Sequence, residues 1–225
     1  MREAVIISAA RTALGKGIKG TLRNTRPDEL ARCAISAVVS RTPGLKTDQV
    51  DDVIIGCAMP EGPQGMNVAR IASLRAGLPV SVPALTINRF CGSGLQSIAF
   101  AVNQIQSGGA DIVIAGGTES MSLVPLGGDN FSPNPYLVDS YPDVYLNMGL
   151  TAENLGKKYS ISRDDQDLFA YQSHQKAIKA IKKNKFKDEI IPFEIPIKGI
   201  NPNGETYSFK STFEIDECPR NDTSV

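Results

Sequence analysis

The sequence has no tryptophan, a single histidine (His174) and four cysteines, and its charges cancel, with 24 Lys and Arg against 24 Asp and Glu. Each shortage closes off a class of function. One histidine, with no Cys-x-x-Cys pair and no paired ligand spacing among Cys33, Cys57, Cys91 and Cys218, argues against a zinc site. So few cysteines point to a reducing compartment rather than a disulfide scaffold, and a cytoplasmic protein is expected. Zero net charge removes any global pull toward nucleic acid or an anionic membrane surface. No apolar run approaches the ~20 residues of a membrane helix. The Arg11-Thr12-Ala13-Leu14-Gly15-Lys16-Gly17 connection lacks the glycine spacing of a dinucleotide fingerprint. The apolar N-terminus around Val5-Ile6-Ile7 is too short for a signal peptide and is followed by basic residues, so it reads as a first buried strand over 4–9.

What is present alternates. Strands are expected over 4–9, 53–57, 84–88 and 111–115. Helices are expected after Thr25-Arg26-Pro27-Asp28-Glu29, over 67–75 and over 91–107. Four rounds of strand and helix imply a parallel sheet with helices on both faces. Ligands of such sheets sit beyond the C-terminal ends of the strands. Cys91, the breaker-rich loop 60–66 and the Gly116-Gly117-Thr118-Glu119-Ser120 exit all fall at such ends.

The stretch Thr86-Ile87-Asn88-Arg89-Phe90-Cys91-Gly92-Ser93-Gly94-Leu95-Gln96 carries the chemistry. It reads as strand, sharp turn and helix, with Leu95, Ile98, Ala99, Val102 and Ile105 as the helix's apolar face. Most cysteines simply pack. Here Gly92 and Gly94 keep side chains away from the helix start, and a thiol at a helix N-terminus sits at the positive end of the dipole, which favours thiolate. Cys91 is therefore the candidate nucleophile.

From Met121 the composition changes. Pro125, Gly127, Gly128, Pro133, Pro135 and Pro142 mark a long loop-rich excursion, of a kind uncommon unless functional. We place a nucleophile domain over 1–120 and a second domain over 121–225. The latter holds a short helix over 151–159 and a longer one capped by Ser162, with Leu168, Tyr171, Ala177, Ile178 and Ile181 inward and a lysine stripe outward. His174 lies in that helix with no nucleophile or acid near it in sequence, and reads as structural. Two strands flanking Asn201-Pro202-Asn203-Gly204 form a hairpin.

Six stretches in order then carry a resemblance. They are Ala9-Ala10-Arg11-Thr12, Asn88 to Gln96, Ala115-Gly116-Gly117-Thr118-Glu119-Ser120-Met121-Ser122, Met148-Gly149-Leu150-Thr151-Ala152-Glu153-Asn154, Ser162-Arg163-Asp164-Asp165-Gln166-Asp167 and Phe186-Lys187-Asp188-Glu189-Ile190. Along nearly its whole length the chain resembles the N-terminal half of thiolases, the acyl-CoA C-acyltransferases. The resemblance implies an α/β fold, a βαβαβαββ domain with a mostly parallel sheet between helices, into which an α+β loop domain is inserted. It implies that Cys91 attacks a 3-ketoacyl-CoA carbonyl and carries the acyl group as a thioester, its backbone N–H helping to form an oxyanion hole. It implies that the loop domain holds coenzyme A, with Met148 lining the pantetheine tunnel and Arg220 near the adenine. Coenzyme A and acyl-CoA are then substrates, with no cofactor or metal, and the protein is a homo-oligomer.

Two departures qualify that reading. Many biosynthetic thiolases have a histidine just before the Met-Gly, where this chain has Asn147; that favours degradative 3-ketoacyl-CoA thiolases of fatty-acid β-oxidation. More important, the family's Gly-His-Pro and Cys-x-Gly motifs belong to a C-terminal half that this sequence lacks, and neither His174 nor Cys218 stands in such a motif. Without those proton acceptors the chain is expected to be inactive until a C-terminal half completes it. The alternatives are a thiolase-like domain that binds coenzyme A esters or a partner without catalysis, and a related condensing enzyme such as a ketoacyl synthase. The first domain is also expected to expose apolar surface where the missing half would pack.

Overall fold

The computed structural model describes residues 2–200 and 203–225. It divides into two compact units, Met1–Asp129 with Phe186–Cys218, and Asn130–Lys185 with Pro219–Val225. The first contains strands β1 (Arg11–Thr12), β2 (Asp52–Gly56), β3 (Ala84–Ile87), β4 (Val113–Gly117), β5 (Ile190–Ile191), β6 (Phe193–Ile200) and β7 (Thr206–Phe213). It also contains helices α1 (Pro27–Ser40), α2 (Val68–Arg75) and α3 (Ser93–Gln106).

The central sheet is parallel in the order β3-β2-β4, with Val53 opposite Ala84 on one side and Ile114 on the other. Successive residues of β2 face opposite ways. Val53 and Ile55 join Ala31 and Ile35 of α1 and Ala69 and Ala72 of α2 in the main core. Helix α1 opens on Pro27 with Asp28 and Glu29 in its first turn, but its N-cap is Arg26, so the expected Thr25 hydroxyl does not cap it. Asn67 caps α2, accepting from the Arg70 N–H, and also ties that helix to β3 by donating to the Ala84 carbonyl at 2.8 Å.

The other face of β2 decides where α3 lies. Helix α3 buries Ser93, Ser97 and Ala101, a stripe of small residues, against the glycines that end β2 and β4. Ser97 Oγ donates to the Gly116 carbonyl at 2.8 Å. The expected apolar face is therefore only in part a packed one: Leu95 is 76% exposed and Ile98 and Ala99 are exposed as well, while Val102 and Ile105 are half-buried. Close approach of small residues and a hydroxyl-to-carbonyl bond outweigh the apolar stripe, whose first members are left facing outward.

Residues 4–9 do not form the expected first strand. Val5, Ile6 and Ile7 are 69%, 80% and 67% exposed. A strand needs a neighbour for its ladder, and among the described residues β4 pairs with β2 alone. The regular pairing near the N-terminus is the short parallel β1–β5 contact. There Arg11 forks onto Asp216 (2.7 and 3.0 Å), reaches Glu189 at 2.7 Å and lies over the Phe186 ring. Burial works to raise the Asp216 carboxyl, but the Arg11 fork and the Leu14 amide outweigh it and hold it below its ordinary range. The β6–β7 hairpin is antiparallel, and Phe193, Ile195 and Phe213 bury with Ala13 and Leu22 in a second core. Asn201 and Pro202 of the expected turn lie outside the described residues.

The second unit holds helices α4 (Pro135–Ser140), α5 (Met148–Lys158) and α6 (Arg163–Lys182), capped by Asn134, Asn147 and Ser162. The Asn147 cap, which accepts from the Leu150 N–H at 2.9 Å, starts α5 at Met148 rather than at 151. No residue of α6 is fully buried, but Tyr171, Ala177, Ile178 and Ile181 of the expected inward face are half-buried while the lysine stripe is exposed; Leu168 alone of that face is exposed. An amphipathic stripe buries only where another layer lies over it.

Candidate active site

Cys91 lies in the elbow between β3 and α3. The helix begins at Ser93 with Gly92 as its cap, so the thiol stands just outside the first turn, and Cys91 is exposed. The residue before it, Phe90, has φ +46°, a left-handed conformation that non-glycine residues rarely adopt. Such backbone strain costs on the order of 1–3 kcal/mol and persists where neighbours over-determine it. From the helix side the buried Ser93 does so. Its Oγ accepts from the Arg89 N–H at 2.8 Å and donates to the Phe90 carbonyl at 2.6 Å. Gly92 N–H donates to the Arg89 carbonyl at 3.0 Å, closing the turn.

The other strand ends gather on the same rim. Gln64, fully buried, donates to the Glu119 carboxylate and to the Met59 carbonyl (2.7 Å), and accepts from the Ser120 N–H at 2.9 Å. Glu119 also accepts from the N–H groups of Ala58 (2.6 Å) and Met59 (3.3 Å) and from the Cys57 thiol (3.7 Å). A buried polar network of this kind fixes loop geometry because each member is satisfied. Sequence reasoning assigned no role to Gln64 or Glu119. Glu119 was visible inside the Gly-Gly-Thr-Glu-Ser string, but its partners lie 55 to 62 residues away.

The four thiols differ. Burial pushes Cys57 up to about 12, with the Glu119 charge adding to it. Burial also raises Cys33, and raises Cys218 together with the nearby Glu217 and Asp216 carboxylates. Those three environments disfavour the thiolate; Cys91 is the thiol on an exposed elbow at a helix head.

Met148 and Arg220 belong to the second unit. Met148 is the first residue of α5 and is exposed. Arg220 is exposed, and its backbone N–H donates to His174 Nδ1 at 3.1 Å, so that nitrogen of the histidine serves to hold the tail. Among the described residues no three His, Cys, Asp or Glu side chains group as metal ligands, and no helix is long and apolar enough to cross a membrane.

The family model for the thiolase N-terminal domain matches residues 4–225. The chain belongs to the thiolase family. It is 48% identical over 225 residues to a 3-ketoacyl-CoA thiolase of Bacillus subtilis (strain 168), covering 100% of this chain and 57% of that one. It is 40% identical over 237 residues to an acetyl-CoA acetyltransferase of Pseudomonas aeruginosa, covering 100% of this chain and 58% of that one. The crystal structure of the Bacillus anthracis acetyl-CoA acetyltransferase superposes with a TM-score of 0.82 at 35% identity, over 100% of this chain and 57% of the other. This thiolase chain thus spans a little over half the length of those relatives and corresponds to their N-terminal part.

Proposed function

We propose that this chain is the nucleophile-bearing half of an acyl-CoA acyltransferase, in which Cys91 takes an acyl group from a 3-ketoacyl-CoA and passes it to coenzyme A. The observation that carries this reading is the exposed thiol on a strained, Ser93-locked elbow at the head of α3. In the cleavage direction Sγ bonds to the 3-keto carbon and loses its proton. The carbon–carbon bond to the neighbouring methylene breaks, and that carbon takes a proton as acetyl-CoA leaves. The thiol of incoming coenzyme A then displaces Cys91. Met148 and Arg220 contact coenzyme A in this scheme, and no cofactor or metal takes part. Asn147, and the 48% identity to a relative named 3-ketoacyl-CoA thiolase, favour degradative chain shortening of the β-oxidation type, and the sparse cysteines favour the cytoplasm as its compartment. Neither a silent ester-binding domain nor a ketoacyl synthase-like enzyme is favoured by these observations.

The two proton transfers need acceptors, which we assign to a C-terminal half, so the chain alone is inactive in turnover. Intact-mass measurement after incubation with acetoacetyl-CoA and a purified C-terminal half is the direct test. One acetyl group on Cys91, located by peptide mapping, is expected. Acetylation on Cys218 instead, or full thiolysis by the 225-residue chain alone, would overturn the scheme.

The outward apolar side chains of α3 and of residues 5–7 support a covering partner; with no C-terminal half present, a second copy covers them and the pure chain is a homo-oligomer. Light scattering of the pure chain is expected to give a mass above the monomer. A sharply monomeric, highly soluble chain would count against the oligomer.

A further inference from the structure

The Ser93 hydroxyl holds the Cys91 elbow from the helix side, yet Asn88, Arg89, Phe90 and Cys91 are all exposed and Phe90 is strained. A second restraint comes from the opposite side. Asn88 Oδ1 accepts from the Phe90 N–H at 2.8 Å, while Asn88 Nδ2 donates to the Ala58 carbonyl at 2.9 Å. One planar amide thus spans the elbow and the loop after β2. That loop is itself anchored: the Ala58 N–H donates to Glu119 at 2.6 Å and the Cys57 N–H to the Ile87 carbonyl at 3.0 Å. A bonded path therefore runs from Glu119, just past the end of β4, through Ala58 and Asn88 to Phe90, the residue before the nucleophile.

We propose that Asn88 is a positioning residue for Cys91, clamping the elbow to the loop that Glu119 holds. The inference rests on the reading of Cys91 as the acyl-accepting nucleophile. An amide is required at this position because one end must donate and the other accept. Aspartate would set a carboxylate oxygen against the Ala58 carbonyl, and alanine would release both bonds. Asn88 is exposed and outside both hydrophobic cores, so either variant keeps its fold.

The test uses the whole chain and two alkylating probes. With the bromoacetyl thioester of coenzyme A, Cys91 Sγ bonds to the methylene carbon, bromide leaves and the thiol proton passes to solvent. Iodoacetamide reacts in the same way without a coenzyme A handle. Wild-type labelling by the thioester is expected to saturate with concentration. Asn88→Ala and Asn88→Asp should lower its limiting rate by about tenfold or more, since misplacement of a reacting group by about 1 Å costs up to a hundredfold. The half-saturating concentration and the iodoacetamide rate should stay at wild-type values. Hydrogen exchange at the Phe90 amide should rise at least about tenfold in Asn88→Ala, where its acceptor is lost, and less in Asn88→Asp, where a carboxylate oxygen still accepts from it, while that of Gln96, bonded to the Gly92 carbonyl, stays unchanged. Wild-type values for both the limiting rate and Phe90 exchange would overturn the role of Asn88. Wild-type labelling that never saturates would instead count against the acyl-CoA reading, and Phe90 exchange would then decide the clamp alone.

Discussion

Gly56→Ala is expected to lower stability by about 3 kcal/mol or more, and to cut acyl transfer at Cys91 in whatever fraction still folds. A Cβ at Gly56 would lie 2.4 Å from the Ser93 carbonyl carbon, 2.6 Å from Ser93 Cβ and 2.7 Å from the Gly94 nitrogen. Carbon atoms in contact sit about 3.5–4.0 Å apart, so the overlap exceeds about 1 Å. Two of these atoms are main chain and the third a Cβ, all on the first turn of α3, while Gly56 sits on a strand bonded to both neighbours, so no flexible side chain can yield. Helix α3 must move off the sheet. That move breaks the Ser97 bond to the Gly116 carbonyl and opens the small-residue seam. The entropy gained by replacing glycine, about 0.4–1 kcal/mol, does not offset this. Gly94→Ala is the control. Its Cβ would meet nothing within 4 Å, and alanine is the better helix former, so stability should rise by up to about 1 kcal/mol. Denaturant melts of the two variants should therefore shift in opposite directions. A Gly56→Ala midpoint equal to wild type would show that α3 has slack that the packing does not suggest.

The same seam explains how much of this molecule was legible beforehand. The parallel core was readable because β2, α2, β3, α3 and β4 each announce themselves locally, by apolar period and by glycine or proline at their ends. The elbow was readable because Cys91 sits between a strand and a glycine-flanked helix start. What local pattern does not encode is which surface finds a partner. Residues 4–9 have the composition of a buried strand, yet Ile6 is exposed because nothing in the described residues pairs with it. The apolar stripe of α3 looked like its packed face, but the packed face is set by Gly56, a residue 37 positions before Ser93, which admits only small neighbours. The polar clamps were hidden for the same reason. Asn88 stood inside the most informative string of the sequence, but its role depends on the Ala58 carbonyl, 30 residues away.

Cys57, the thiol beside Glu119, is expected to make the protein sensitive to alkali. In the unfolded chain a cysteine ionises near 9.0, whereas in the folded protein burial, with the Glu119 charge adding to it, pushes Cys57 up to about 12. Below the unfolded value both states hold the proton and the thiol contributes no pH dependence. Between about 9 and 12 the unfolded chain gives up its proton while the folded one keeps it, so unfolding releases a proton and stability falls as pH rises. At about 1.4 kcal/mol per pH unit, the full window amounts to a few kcal/mol. The loss should begin at the Glu119 network, since a thiolate at Cys57 would face a carboxylate that now accepts its proton at 3.7 Å. Cys57→Ser isolates the effect: the hydroxyl still donates to Glu119 but does not titrate in this range. Lysine and tyrosine titrations are common to both proteins and cancel in the comparison. Denaturant midpoints measured from about pH 8 to pH 11 should therefore converge or cross, the wild type losing stability faster than the serine variant. Parallel loss in the two proteins would mean that Cys57 titrates alike in the folded and unfolded states, and that the Glu119 network does not hold its proton.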